Sequence, residues 1–391
     1  MNDIYRYDAS VDGPSASAHR AGKNSVSRRR RKMLLAAAAA PALSVPAIGF
    51  SQSSPPSPSI GDRPAAASPE NVSGRERGQN ITVVIGGSTG VGISYLPLIV
   101  MVHNKLLEKH AALLGIRVRA QWQRFPRAAA MYDALVSGQL DFASGGVSQL
   151  LASWDKTRTS VKVKGVGALV SMPIYLVTSN PSVKTIADFT AKDRIAVPEV
   201  RTSIQAVTLA MAAEQSFGKG QVSKLDPYTV ALGHPQAMKA LLDGNTDIDA
   251  HFSAAPLMYE EMAAPGIHKV LDSYTVLGGP HTYNAVWTST QFHDANPKVF
   301  AAFVAALREA HGQIQVDPAG AAALWKQTEG VNDMSAAQIE RIIRDPEIEW
   351  TMTPRKFMTF ASFMNEIGLL STKPDNWQDF FFADVNGLPG D

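Results

Sequence analysis

One decapeptide occurs twice. Ala134-Leu135-Val136-Ser137-Gly138-Gln139-Leu140-Asp141-Phe142-Ala143 returns a little over a hundred residues later as Ala240-Leu241-Leu242-Asp243-Gly244-Asn245-Thr246-Asp247-Ile248-Asp249. Each copy reads as the end of a helix, a glycine that caps it, and a strand beginning after an aspartate. The flanks match in the same order. A strand over 81–85, a glycine-rich loop and an apolar helix from Pro97 correspond to a strand over 194–198, its loop and an apolar helix through 206–211. A second strand follows each time, over 117–123 and over 227–232. Alternating strands and helices predict an α/β fold with mostly parallel sheets. Their ordered duplication predicts two similar lobes, each a mostly parallel sheet flanked by helices.

Between the copies, Val166-Gly167-Ala168-Leu169-Val170-Ser171-Met172-Pro173-Ile174-Tyr175-Leu176-Val177-Thr178 is long for one strand and is broken by Pro173, which removes a ladder donor. This segment leaves one lobe for the other. Leu277-Gly278-Gly279-Pro280-His281-Thr282-Tyr283-Asn284-Ala285-Val286-Trp287-Thr288 returns. Two crossings with Gly or Pro at the break suit a hinge. The first lobe is therefore expected over 81–172 and 284–391, and the second over 173–283. From Pro297 the chain is mainly amphipathic helix, expected to pack on the first lobe.

Charge is placed unevenly. Residues 1–50 hold eight Lys/Arg and three Asp/Glu, out of 37 and 35 in the chain, so the rest carries about −3. That near-neutral body has no electrostatic footprint for nucleic acid. The basic excess sits in Ser27-Arg28-Arg29-Arg30-Arg31-Lys32, directly before Met33-Leu34-Leu35 and five alanines. A charged region ahead of a modest apolar run is an export signal, and Arg30-Arg31-Lys32-Met33-Leu34 follows the twin-arginine pattern. Pro41 and Pro46 and the alanine content make the apolar run weak for a membrane span. We expect a cleaved signal over 1–50. Residues 51–80, rich in Pro, Ser and Ala, are expected to form a disordered linker. The chain has no cysteine, which excludes disulfides, thiol catalysis and lipid attachment at a cysteine. The nine histidines show no metal-ligand spacing, so no metal and no cofactor are expected.

The loop Gly86-Gly87-Ser88-Thr89-Gly90-Val91-Gly92 approaches three motifs. It fits the G-x-S-x-G of a hydrolase elbow, but it follows the first strand, whereas that elbow sits mid-sheet. As a phosphate loop it has Ile93 in place of the lysine, and as a dinucleotide fingerprint it has Tyr95 in place of the third glycine. What the three motifs share remains: glycines admit a ligand close to the backbone, and the following helix N-terminus offers unpaired N–H groups. The second lobe repeats the device at Val200-Arg201-Thr202-Ser203-Ile204-Gln205, where Thr202 and Gln205 fit a capping box. The third strands lead to Ser144-Gly145-Gly146-Val147-Ser148 and Ala250-His251-Phe252-Ser253. In parallel α/β sheets ligands sit beyond the carboxyl ends of strands, so all four loops are expected at one crevice. The expected solute contacts are Ser88, Thr89, Gly90, Gly146, Val147, Arg201, Thr202, Ser203, His251 and Phe252. Phe125, Trp154 or Phe252 could supply an apolar wall.

Over residues 81–379 the chain resembles the periplasmic solute-binding proteins of ABC importers in the nitrate/sulfonate/taurine group. The resemblance is carried by Tyr95-Leu96-Pro97-Leu98, by Ala134-Leu135 with Gly138 and Asp141, by Ser182-Val183-Lys184-Thr185-Ile186-Ala187-Asp188-Phe189 leading into Arg194-Ile195-Ala196-Val197-Pro198, and by Ala240-Leu241 with Gly244 and Asp247. Asp188-Phe189-Thr190-Ala191-Lys192 departs from the usual Asp-Leu-Lys-Gly-Lys at a surface turn. The resemblance implies a two-lobed periplasmic-binding-protein fold, type II-like, and a periplasmic, non-enzymatic monomer. Such a protein closes on a small, usually anionic solute and hands it to an inner-membrane ABC permease. The Gly-Gly-Ser-Thr-Gly loop also resembles the TAXI-type solute receptors of TRAP transporters. An exported hydrolase using Ser88 is the alternative outside transport.

Overall fold

The computed structural model describes residues 81–88, 92–244, 247–329 and 334–391. Every described residue belongs to one unit, Ala66–Asp391. The expected export signal, the expected linker, and Thr89 and Gly90 of the expected site lie outside the described residues.

The chain runs from β1 (Ile81–Ser88) through α1 (Leu96–His103) and α2 (Leu106–Leu113) to β2 (Val118–Phe125). It continues through α3 (Ala128–Val136) to β3 (Phe142–Gly146), then α4 (Val147–Lys156) and β4 (Val163–Ser171). The next part comprises β5 (Tyr175–Thr178), β6 (Ile195–Val197), α5 (Ile204–Phe217), β7 (Thr229–Ala231) and α6 (His234–Asp243). It ends with β8 (Ala250–Ser253), α7 (Leu257–Ala263), β9 (His268–Asp272) and α8 (Ser273–Leu277). β10 (Thr282–Ser289) leads into α9 (Thr290–Ala295), α10 (Pro297–Val316), α11 (Pro318–Glu329), α12 (Ala336–Ile343) and α13 (Phe357–Glu366).

Two five-stranded sheets result, ordered β2-β1-β3-β10-β4 and β7-β6-β8-β5-β9. The orders are equivalent position by position. β1 is parallel to β2 and β3, β6 is parallel to β7 and β8, and the duplicated segments form these two triplets. The fourth and fifth places come from the crossings. β10 lies antiparallel between β3 and β4, and β5 lies antiparallel between β8 and β9. Four strands of each sheet therefore share one direction, and one inserted strand opposes them.

The echo holds with a local shift. Gly138 and Gly244 both take the left-handed conformation that ends a helix, at φ 74° and 63°. Asp141 exchanges hydrogen bonds with Val84, its own N–H donating to the Val84 carbonyl at 3.1 Å and its carboxylate accepting the Val84 N–H at 2.8 Å. The equivalent contact in the other lobe is made by Asp249 with Arg194, not by Asp247 as the aligned decapeptides suggest. The carboxylate has to stand immediately before the third strand to reach the first, and in the second copy two more residues intervene.

The core follows from burial on both faces of the central strands. All five residues of β3 and all eight of β10 are buried, as continuous apolar or small-residue runs require. On α10, Val299, Phe300, Phe303, Val304 and Leu307 recur at three- and four-residue intervals and face inward. Phe303 stacks on Phe142 of β3 with ring centroids 3.8 Å apart, so the C-terminal helices pack on the first sheet. Among the described residues no helix is long and apolar enough to cross a membrane.

The two crossings lie side by side. Met172-Pro173-Ile174 separates β4 from β5, and the return passes through Gly278, at φ 71°, and Gly279, at φ 137°. Ser171 Oγ donates to the His281 carbonyl at 2.7 Å, and the Ile174 N–H donates to Ser273 Oγ at 2.9 Å. His281 is fully enclosed here, one ring nitrogen 2.8 Å from Ser273 Oγ and the other 2.9 Å from the Thr282 carbonyl. Burial pushes its imidazole down to about 4, and buried His311 shifts the same way. These rings are neutral in the folded protein, whereas the unfolded chain protonates them below about 6.5. Their contribution to stability is complete above that value and disappears as pH falls through the window toward 4. Urea midpoints should therefore decline between about pH 6.5 and 4. A midpoint that rises over this interval would contradict a neutral hinge imidazole.

Candidate functional site

Gly86 and Gly87 belong to β1. A Cβ on Gly87 would lie 2.6 Å from the Trp122 ring, and one on Gly86 would lie 2.8 Å from Leu140. These glycines make room for neighbouring side chains of their own lobe. The resemblance to phosphate and elbow motifs therefore has a packing cause, at least up to Ser88.

Beyond the carboxyl ends of the parallel strands, the lobes border an open cleft of about 570 Å³. The first lobe contributes Ser88 from β1, Phe125 from β2 and Gly146 from β3. The second contributes Pro198 after β6, then Glu199, Ser203 and Gln205, and Leu232, Gly233 and His234 after β7. Tyr283 and Asn284, at the start of inserted β10, form the floor. The N-termini of α3, α4, α5 and α6 all open here, because each follows a strand ending at the cavity. The turns at Pro126, Gly146 and Gly233 are short, whereas six residues, 198–203, link β6 to α5. A second groove of 620 Å³ lies on the first lobe between α1, α10 and α11. One helix N-terminus borders it, that of α11, and Asp317 already accepts the Gly320 N–H there at 2.8 Å; four termini meet at the cleft, which is the stronger candidate.

The lobes touch across the cleft. Ser148 Oγ donates to the Thr202 carbonyl at 2.9 Å, and the Gln205 amide donates at 3.2 Å to the hydroxyl of Tyr283, which β10 places in the first sheet and not, as expected, in the second lobe. Ile204 comes within 3.4 Å of where a Cβ on Gly146 would sit, an approach that favours glycine at this position. Glu199 Oε1 accepts the Ala128 N–H at 3.3 Å, so a carboxylate of the second lobe meets the N-terminus of α3 in the first. Arg127 and Glu199 carry the permanent charges of the lining. Burial raises the Tyr95 and Tyr283 phenols well above their ordinary value, so both stay protonated as hydrogen-bonding groups.

Of the residues singled out from the sequence, Ser88, Gly146 and Ser203 lie on the cavity wall. Ser203 caps α5: its Oγ accepts the Ala206 N–H at 3.2 Å and donates to the Glu199 carbonyl at 2.7 Å. The cap is thus Ser203 rather than Thr202, whose hydroxyl turns to Glu199 Oε2 at 3.2 Å. Arg201, at φ 67°, directs its guanidinium to Asp226 at 3.2 Å, outside the cavity. Val147 and Phe252 are fully buried in the core. His251 is also fully buried, one residue behind the wall, with its Nε2 2.8 Å from Nδ1 of His234. Of the proposed wall aromatics, Phe125 lines the cavity. Trp154 lies elsewhere, donating from Nε1 to the Asp379 carbonyl at 3.1 Å beneath Arg158.

The sequence drew its polar contacts from the ends of the first and third strands, and from the second only Phe125 as an apolar wall. The strand-end rule applies equally to β2 and β7, and it would have drawn in Arg127, Gly233 and His234. Tyr283 and Asn284 carried no local signal, since they reach the cleft only because β10 is inserted antiparallel.

The family model described as "NMT1/THI5 like" matches residues 123–321, just over half of the chain. The chain belongs to the NMT1/THI5-like family. No curated protein matches it. Among solved structures it is similar to the periplasmic aliphatic sulphonate binding protein SsuA from Escherichia coli, with a TM-score of 0.57 and 19% identity, covering 78% of this chain and 92% of that one. The alkanesulfonate-binding protein SsuA from Xanthomonas axonopodis pv. citri, bound to MOPS, gives 0.57 and 19%, covering 76% and 96%. The periplasmic nitrate-binding protein NrtA from Synechocystis PCC 6803 gives 0.58 and 15%, covering 79% and 86%. At these identities the likeness establishes the two-lobed periplasmic-binding-protein fold of this NMT1/THI5-like chain.

Because both hydrogen bonds of the Ser203 hydroxyl serve the α5 terminus, Ser203→Ala should destabilise the fold by about 1 kcal/mol. Urea denaturation measures this. No change in midpoint would mean that the hydroxyl is not engaged as a cap.

Proposed function

We propose that this protein is the extracytoplasmic solute-binding component of an ABC importer. It captures a small anionic organic solute, of the sulfonate, nitrate or taurine kind, and delivers it to an inner-membrane permease without transforming it. The observation that carries this reading is the convergence of four helix N-termini, two from each lobe, on one cleft between the lobes. Each such terminus contributes about 0.3–1 kcal/mol toward an anion when exposed and up to about 2 kcal/mol when partly buried. The α3 terminus meets Glu199 and the α5 terminus is capped by Ser203, so the roughly 8 kcal/mol of a micromolar complex also calls on Arg127 and the aromatic edges of Tyr95, Phe125 and Tyr283. A solute touching both lobes favours the closed form, since only that form supplies both sets of contacts.

Hydrolysis at Ser88 is less well supported. His234, the histidine of the lining, has one ring nitrogen 3.1 Å from the Gln205 amide and the other 2.8 Å from a second histidine, His251, whereas an elbow serine needs a base oriented directly by a carboxylate. Among the described residues no group of three or more His, Asp or Glu could hold a metal ion. Periplasmic residence, export through a cleaved twin-arginine signal and a monomeric state belong to the same proposal. They are supported by Arg30-Arg31-Lys32-Met33-Leu34 and by the periplasmic proteins that share the fold.

The test is calorimetry and thermal unfolding of the purified protein against methanesulfonate, taurine, nitrate and short carboxylates. One class should bind near micromolar affinity, raise the melting temperature and be recovered unchanged by mass spectrometry. Glu199→Gln should strengthen capture several-fold, because about 1 kcal/mol of like-charge repulsion is removed. Chemical conversion of the bound compound, or weaker binding of every anion by Glu199→Gln, would count against an anion receptor.

A further inference from the structure

A chain of hydrogen bonds runs from the cavity wall into the core of the second lobe. The Gln205 amide nitrogen lies 3.2 Å from the Tyr283 hydroxyl and 3.1 Å from His234 Nε2. His234 Nδ1 is 2.8 Å from His251 Nε2, and His251 Nδ1 is 2.5 Å from Glu261 Oε1. Gln205 is 2% exposed, and His251 and Glu261 are fully buried. The five groups come from α5, β10, α6, β8 and α7. Strands β5 and β6, which flank β8, place Val177 and Ala196 beside His251 and add no charge. On the cavity side the lining holds, besides His234, the titratable or charged groups Tyr95, Arg127, Glu199 and Tyr283. On α7 half-buried Glu260 precedes Glu261. Glu261 Oε2 is enclosed and has no hydrogen-bond partner among the described residues.

Two proton arrangements of this chain run its hydrogen bonds in opposite directions; an added proton held instead on Glu261 Oε2 would leave the rings as in the first. In the first, the Gln205 NH₂ donates to His234 Nε2. His234 then carries its proton on Nδ1 and donates to His251 Nε2, and His251 in turn donates from Nδ1 to Glu261. Both rings are neutral, so Glu261 is a lone carboxylate in the core with one oxygen unpartnered, which is costly. In the second state one proton enters from the cavity at His234 Nε2. His234 passes its Nδ1 proton to His251 Nε2, and His251 becomes an imidazolium against the Glu261 carboxylate. The buried pair is then neutral overall. His234 now donates from Nε2, so Gln205 must turn its carbonyl oxygen toward it, a rotation that exchanges groups of nearly equal size. The Tyr283 O–H donates to the same oxygen, and the Gln205 NH₂ turns to the cavity.

We propose that Gln205 is a solute contact whose polarity is set by the proton count of the His234–His251–Glu261 chain: with the extra proton it presents a donor to the cavity, and without it an acceptor. The protonated state is the one suited to an anion, so capture of an anionic solute strengthens as the chain takes up its proton. This deepens the capture reading and rests on it for the sign of the solute. Burial holds the His234 ring down to about 3, which fits a ring that relays the proton inward and stays neutral.

The experiment is nitrogen-15 NMR of the full chain labelled at histidine, from about pH 8 to about pH 5, the range in which histidine environments titrate. Signals are assigned by loss in His234→Asn and His251→Asn. The pyrrole-type and pyridine-type nitrogens of His234 should exchange places across the range while the ring stays neutral. Glu261→Gln should abolish the exchange, because an amide does not titrate. A His234 tautomer that never changes, a His234 imidazolium, or an exchange that persists in Glu261→Gln would each overturn the proposal. No solute is added, so failure here leaves the capture reading standing, and a negative solute screen leaves this result standing.

Discussion

The site depends on two strands that change sheets. β10 is bonded on both edges, to β3 and β4, and β5 is bonded on both edges, to β8 and β9. Neither can withdraw without losing two ladders of backbone hydrogen bonds, each group of which would then have to be satisfied elsewhere. The crossings are therefore fixed to the interior of each lobe, and the freedom that remains lies in the few residues between them. Hydrogen bonds from Ser171 to His281 and between Ile174 and Ser273 hold those residues side by side. Motion between lobes on such a joint is rotation about adjacent connections.

The same insertion builds the floor of the cleft. An antiparallel strand begins where its parallel neighbours end, so Tyr283 and Asn284 arrive beside Gly146 and Ser88. Around that floor the chemistry is largely backbone: turns from strands into helices, with Gly or Pro at the bend, aim N–H groups inward. Side chains supply the asymmetry. Glu199 reaches from one lobe to a helix terminus of the other, and Gln205 joins Tyr283 across the gap while backed by two histidines and a carboxylate. Further bonds join the lobes away from the cleft, from Tyr259 to Asp345 at 2.8 Å and from Tyr175 to Glu347 at 3.0 Å.

Much of the fold was legible because it rests on local, repeated signals. Helix-ending glycines at 138 and 244, apolar strands beyond them and Pro173 in an over-long strand each report a nearby backbone requirement. Less of the site was legible. Ser88, Gly146 and Ser203 stand on the wall, whereas Arg201 turns to Asp226, and His251 and Phe252 are packed inside. A strand-end residue is signalled by the strand, but the direction of its side chain is decided by what packs on either face of the sheet. Gly86 and Gly87 show the converse: a motif-like glycine pair made necessary by Trp122 and Leu140, which lie 35 and more residues further along the chain.

Read alone, the sequence determined that this chain makes two alike α/β lobes with glycine-bearing strand ends, because periodicity, capping and chain breaks act over a few residues and survive in any context. The structure alone decided that Asp249 replaces Asp247 as the strand tie, that Ser203 spends its hydroxyl on a cap, and that His234 joins Gln205 to a buried carboxylate. Each of these depends on distances between segments far apart in the chain, and such distances are settled only when the sheets close around one core.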